Sequence, residues 1–243
     1  MLALPKDEAH VWFVPSRVMR VSSLAESYYS ILSTDEIARA RTYRSLKALE
    51  NFVLGRALLR AVLSKYSTVR PEAWSFKLSV YGKPEIVAPN CVRPFQFSLT
   101  HTNGLVACAI TDGYDIGLDV ENAARKVSIE VAHRYFAPSE VKALQATPAE
   151  RRATLVLEYW ILKEAFVKAY GVGLSIPLDA ICFEISGTSV NRVSFYDLAE
   201  DPVDWQFTLL RPALGYILAL AIRRCAIRPL RVVVNSTIPL SSS

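Results

Sequence analysis

The chain has 243 residues, of which 51% are hydrophobic and 21% charged, with a formal net charge of +5. This composition excludes a disordered or fibrous protein, and the length suits one large domain or two compact ones. The positive surplus points to an anionic partner (nucleic acid, a phosphorylated small molecule or an acidic protein) without choosing among them.

Residues 11–14 read as a short strand, and 22–32 and 34–66 as helices. The second helix has Ser33 or Thr34 to cap it and Asp35 and Glu36 in its first turn. Phe52, Leu58, Leu59 and Val62 recur at helical spacing, and a break is expected near 45–50. Residues 74–80 alternate as a strand and run into the turn Y-G-K-P at 81–84. The runs 95–101 and 105–111 flank Asn103-Gly104, a hairpin signal because both residues tolerate positive φ. Asp112-Gly113 then leads into a strand at 116–121, so three consecutive strands are expected to form a meander.

Helices follow at 128–135, 138–145 and 148–170, then strands at 181–185, 190–195, 205–210 and 216–222. The order strand, helices, several strands thus occurs twice. The expected fold class is α+β, a pseudo-dimer of two similar α/β halves, 1–114 and 115–228, with 229–243 a loosely attached tail.

Cys91, Cys108, Cys182 and Cys225 are scattered with no C-x-x-C pair, which speaks against a zinc or redox motif. Cys108 and Cys182 lie in apolar segments as small buried hydrophobes. The opening M-L-A-L-P-K-D-E lacks the pattern of a secretory signal, and the longest apolar run, 214–222, is too short to span a bilayer. A cytoplasmic protein without a membrane partner is expected.

Five stretches could carry chemistry. In I-G-L-D-V-E, Gly117, Asp119 and Glu121 share one face of a strand. Two carboxylates there need a cation or a basic side chain between them and suit Mg²⁺, unless that face is simply solvated. His101, between Thr100 and Thr102 at a hairpin mouth, could hold a phosphate oxygen or be satisfied by a backbone carbonyl. Lys83 sits on a turn that Gly82 and Pro84 shape. Arg39, Arg41, Arg44 and Lys47 form a basic run that fits a solvated helix face, a polyphosphate or a nucleic acid. Glu164 and Lys168 are an i, i+4 pair that supports a helix by about 0.2–0.5 kcal/mol.

Together, G-K-P, T-H-T, G-L-D-V-E and W-I-L-K-E-A-F-V-K-A-Y-G resemble the phosphopantetheinyl transferase superfamily, in its longer surfactin-synthetase-activating type. H-R-Y-F-A-P-S-E at 133–140 and L-G-R-A-L-L-R at 54–60 fit the same pattern, and the resemblance spans roughly residues 11–222. Two positions depart from it: Thr100 stands where a Ser is usual, and Ile161 where a Ser, Thr or Cys is usual.

The resemblance implies transfer of 4′-phosphopantetheine from coenzyme A to a serine of an apo acyl or peptidyl carrier protein, releasing adenosine 3′,5′-bisphosphate. It implies Asp119, Glu121 and Glu164 as ligands of Mg²⁺, with Mn²⁺ as a substitute. Glu164, Lys168 and His101 would be catalytic. Lys83, Thr100, His101, Lys163, Lys168, Arg39, Arg44 and Arg56 would hold coenzyme A, in a cleft between the halves. Glu164, Glu121 or a metal-bound water would take the serine proton, with Glu140 a weaker candidate. A monomer in the cytoplasm is implied, with carrier protein and coenzyme A as partners and no nucleic acid. The rival readings are an inactive coenzyme A- or carrier-binding relative, and a nucleic-acid-binding protein using the basic helix.

Overall fold

A computed structural model describes residues 1–20, 22–89, 93–127, 129–171, 173–224 and 228–241. Cys91, Cys225, the expected helix start at Ser128, and Ser242 and Ser243 lie outside the described residues. In chain order the elements are β1 (Glu8–Pro15), α1 (Ser22–Ser30), α2 (Thr34–Ala40), α3 (Leu46–Lys65), β2 (Ser75–Leu78), β3 (Pro84–Ala88), β4 (Phe95–Thr102) and β5 (Leu105–Asp112). They continue with β6 (Asp115–Asn122), α4 (Ile129–Tyr135), α5 (Pro138–Ala146), α6 (Ala149–Tyr170), β7 (Ile181–Ser186), β8 (Ser189–Phe195), β9 (Trp205–Leu210), β10 (Tyr216–Arg223) and β11 (Arg231–Ser236). The chain divides into two units, Met1–Gly113 with Leu230–Ser243, and Tyr114–Pro229. Among the described residues no helix is long and apolar enough to cross a membrane.

The first unit is built on a sheet of order β11-β1-β5-β4. Leu54, Leu58 and Leu59 of α3 bury themselves in one core with Val14, Val106, Cys108 and Ile110 of the sheet. The helix expected over 34–66 is two helices, with separate starts. Ser33 and Glu36 form a reciprocal capping box on α2, and the Ser45 hydroxyl accepts from the Ala48 N–H to open α3. The β4–β5 hairpin runs in register from Phe95↔Asp112 to Thr102↔Leu105. Of its two turn residues only Gly104, at φ 92°, takes the left-handed region.

Two expectations are corrected here. β6 does not extend the β4–β5 hairpin into a meander, because β5 already has β1 on one edge and β4 on the other. The turn at Gly113, φ 91°, instead ends the first unit, and β6 pairs with β10. Nor is 229–243 a loose tail. Its R-V-V-V-N-S stretch is rich in β-branched residues and forms β11, parallel to β1 from Glu8↔Arg231 to Phe13↔Ser236.

The second unit carries a sheet of order β6-β10-β9 and a β7–β8 hairpin. α6 packs across β6 and β10, and Phe166 fixes it there, 4.5 Å from the Trp205 ring centroid and 5.5 Å from that of Tyr170. Gly171, in the left-handed region at φ 81°, ends the helix.

Candidate active site

The stretch G-L-D-V-E lies on the edge strand β6, paired to β10, and its polar face is covered rather than solvated. Gly117, Asp119 and Glu121 pair with Ala221, Ala219 and Ile217 of β10, three residues of the core under α6. Asp119 is 8% exposed and Glu121 9%. Small residues let helix and strand meet. α6 crosses so close over Gly117 that no side chain fits there. The next inward-facing position, Asp119, comes within reach of the helix side chains.

Lys168 uses that proximity. Its ammonium donates to Asp119 Oδ1 at 2.7 Å and to the Leu118 carbonyl at 3.0 Å, tying α6 to β6. It thus ties α6 to the strand as well as acting on Glu164 along its own helix. Glu121 is held by Arg125, four residues on in the loop after β6. Glu164 lies half-buried one turn before Lys168. Burial pushes its carboxyl above the usual range, and the Asp119 charge adds to the rise, while Lys168 and Arg125 oppose it. Asp119, Glu164, Lys168 and Arg125 therefore share one electrostatic neighbourhood, and Glu121 joins it through Arg125.

Among the described residues no group of three or more His, Cys, Asp or Glu side chains is arranged so that it could hold a metal ion. The donor chemistry nonetheless fits a hard divalent cation. Two carboxylates alternate on one strand face, and a third, Glu164, feels the charge of Asp119, a repulsion that such a cation relieves.

Lys163 is corrected. It was expected to bind coenzyme A, yet it is 0% exposed, between Phe136 and Phe183. Its ammonium pairs with Glu140 at 2.8 Å and donates to the carbonyls of Leu178, at 2.7 Å, and Ile181. Adjacent positions of α6 point in different directions, so Lys163 lies in the core while Glu164, half-buried, comes under the charge of Asp119. Glu140 is corrected with it as a candidate base. Its carboxylate accepts from the Ala137 and Phe183 N–H groups at 2.8 and 2.9 Å, pinning α5 to β7. Burial pushes Glu140 up and Lys163 down, and their mutual attraction opposes both shifts.

The candidates of the first unit fall in three places. His101 is exposed at the end of β4, beside buried Thr100. Lys83 closes the β2–β3 turn, its N–H donating to Ser79 Oγ at 3.1 Å. Arg39 and Arg56 both lie against the Phe52 ring, at 5.8 and 5.5 Å from its centroid, and Arg44 is exposed between α2 and α3. Arg56 Nε stands 3.6 Å from Glu36, and its Nη1 is buried without a hydrogen-bond partner. Sequence reasoning missed Arg125 and Phe52. The signal for Arg125 was its place four residues after Glu121, which reads as helix spacing although no helix is there.

Comparison with known proteins places this geometry. Residues 115–221 match the family model of the 4′-phosphopantetheinyl transferase superfamily. The chain is 32% identical over 175 residues to the 4′-phosphopantetheinyl transferase HetI of Nostoc sp., covering 72% of this chain and 73% of that protein. The chain belongs to the 4′-phosphopantetheinyl transferase family. It is also 30% identical over 155 residues to the 4′-phosphopantetheinyl transferase Sfp of Bacillus subtilis, covering 64% of this chain and 67% of that protein. Among solved structures it is similar to the holo-[acyl-carrier-protein] synthase of Thermotoga maritima, at 24% identity and a TM-score of 0.37 over 45% of this chain and 62% of that one. The transferase family match contains Gly117, Asp119, Glu121, Glu164 and Lys168, while Lys83, His101 and the arginines of α2 and α3 precede it.

Proposed function

We propose that the chain transfers the 4′-phosphopantetheine group of coenzyme A to a serine hydroxyl of an apo acyl or peptidyl carrier protein, releasing adenosine 3′,5′-bisphosphate. The observation that carries this reading, beyond family membership, is the coupling of Glu164 and Lys168 on α6 to Asp119 on β6.

The reaction attacks one phosphorus of a pyrophosphate that is already negative, so positioning and charge neutralisation supply most of the rate. The serine oxygen forms the new P–O bond, the pyrophosphate bridge breaks, and the serine proton leaves. Glu164, on α6 and partly open to solvent, would take that proton. Lys168 stabilises charge on the transferring or leaving phosphate, held in place by Asp119 and the Leu118 carbonyl. Asp119, Glu121 and Glu164 would hold Mg²⁺, with Mn²⁺ as a substitute, and the bound ion neutralises the pyrophosphate and polarises its P–O bond.

Lys83, Thr100 and His101 bind phosphate oxygens of coenzyme A in this reading, and Arg39, Arg44 and Arg56 take its 3′-phosphate. The orphaned Nη1 of Arg56 and the Phe52 ring flanked by two guanidinium groups support an anionic ligand with a planar part. The charge of +5 suits an acidic carrier protein through electrostatic steering. The presence of both units in one chain supports a monomer, and we place it in the cytoplasm. Chromatography of reaction mixtures tests the reading. Adenosine 3′,5′-bisphosphate should appear only when coenzyme A, carrier protein and Mg²⁺ are all present. Its appearance without a carrier would show hydrolysis instead of transfer.

A further inference from the structure

The loop after β6 is built to return one cation to the carboxylates. Asn122 sets the turn: its Oδ1 accepts the Ala124 N–H at 2.9 Å, and its carbonyl accepts the Arg125 N–H at 2.8 Å. The Ala123 N–H is fixed to the Gly215 carbonyl, also at 2.8 Å, at the end of the neighbouring strand. The chain doubles back, and the Arg125 guanidinium meets the Glu121 carboxylate without an intervening helix.

The two cations of the site differ in how they are held. Lys168 springs from α6 and is bonded to both Asp119 and the Leu118 carbonyl. Arg125 springs from a surface loop, with a side chain 48% exposed against 12% for that of Glu121. A carboxylate so covered needs a charged or hydrogen-bonding partner, whereas an arginine so exposed can leave for water or a phosphate at little expense. Arg125 also acts on Glu164, pulling against the charge of Asp119. Three acidic and two basic groups therefore leave the site only slightly negative before any ligand arrives.

We propose that Arg125 is a built-in cationic placeholder: it holds the Glu121 carboxylate until a divalent cation displaces it, and so limits how tightly the coenzyme-free chain binds that ion. The inference rests on reading Asp119, Glu121 and Glu164 as the carboxylates that hold the metal. A dication entering the site meets a positive charge already in place, so metal and guanidinium compete for one carboxylate. A polyanionic co-substrate removes the conflict by giving the displaced guanidinium a phosphate to bind. The metal is thereby retained together with the pyrophosphate rather than before it.

Direct titration of Mn²⁺ into the full chain without coenzyme A, reading free Mn²⁺ by electron paramagnetic resonance, tests this without any turnover. Arg125→Gln should tighten Mn²⁺ binding about tenfold, while Arg125→Lys, which keeps the charge, stays within about threefold of the parent. The same titration on Asp119→Asn, with and without Arg125→Gln, should show weaker binding in both backgrounds. Unchanged or weaker binding in Arg125→Gln, with Asp119→Asn still sensitive, overturns the placeholder alone. Mn²⁺ binding indifferent to Asp119→Asn overturns the metal reading and the placeholder with it.

Discussion

A β-carbon added to Gly117 would stand 1.9 Å from the Ala165 carbonyl oxygen and 2.4 Å from the Ala169 nitrogen, both backbone atoms of α6. The glycine of G-L-D-V-E is thus the point at which α6 lies on its strand, and the next inward residue, Asp119, meets Lys168 because of it.

Gly117→Ala forces the helix away, since backbone atoms on both sides of the contact cannot rotate aside. Overpacking of this kind costs about 1–3 kcal/mol. Urea denaturation should show that loss, and phosphopantetheine transfer should fall by at least about tenfold as Glu164 and Lys168 move off Asp119. A variant with parental stability and rate would mean that the helix does not lie where we describe it.

The Lys163–Glu140 pair is structural, and its disruption separates that role from coenzyme A binding. Lys163→Met leaves the Glu140 carboxylate buried without its cation and should destabilise the protein by about 3–5 kcal/mol. Combining it with Glu140→Leu should recover most of the loss, and the double variant should bind coenzyme A like the parent in calorimetry. Weak coenzyme A binding in a well-folded double variant would restore Lys163 to the ligand set.

Glu164 should show a trade of stability for function. Folding raises its carboxyl above the usual range, so the folded chain holds the proton more tightly than the unfolded one. Its ionisation therefore subtracts stability as pH rises through that interval, and nothing is subtracted at lower pH where both states are protonated. Glu164→Gln should raise the melting temperature by about 1–4 °C near neutral pH and leave it little changed near pH 4. Equal shifts at both pH values would contradict the assignment.

β11 should protect β1. Deleting residues 231–243 removes a six-residue parallel pairing and the Arg231 partner of Glu8. Hydrogen exchange should then speed up along 8–13, the stretch paired to β11, while β6 of the other unit keeps its protection. Unchanged exchange along 8–13 would return residues 231–243 to the status of a loose tail.

How much of this was legible from sequence follows from the range of each interaction. The helices and the strands of the second half were readable from hydrophobic period and caps, which are local. β11 was missed because a strand near a polar terminus declares itself only through a partner, here β1, more than 200 positions away. The false meander came from assuming that consecutive strands pair, whereas β1 had already taken the free edge of β5. In the site, alternation placed Asp119 and Glu121 on one face, but whether that face was wet depended on α6. Lys163 and Glu164 are sequence neighbours with opposite fates, since adjacent helix positions point about 100° apart. Only the tertiary packing says which of the two meets the strand.

The most direct test of the central claim is the intact mass of an apo carrier protein after incubation with the chain, coenzyme A and Mg²⁺. The parent should add one phosphopantetheine to each carrier, and Asp119→Asn and Glu164→Gln should add none in the same interval, although Glu164→Gln is at least as stable as the parent. No mass gain from the parent with either acyl or peptidyl carriers, or an equal gain from both variants, would contradict the account.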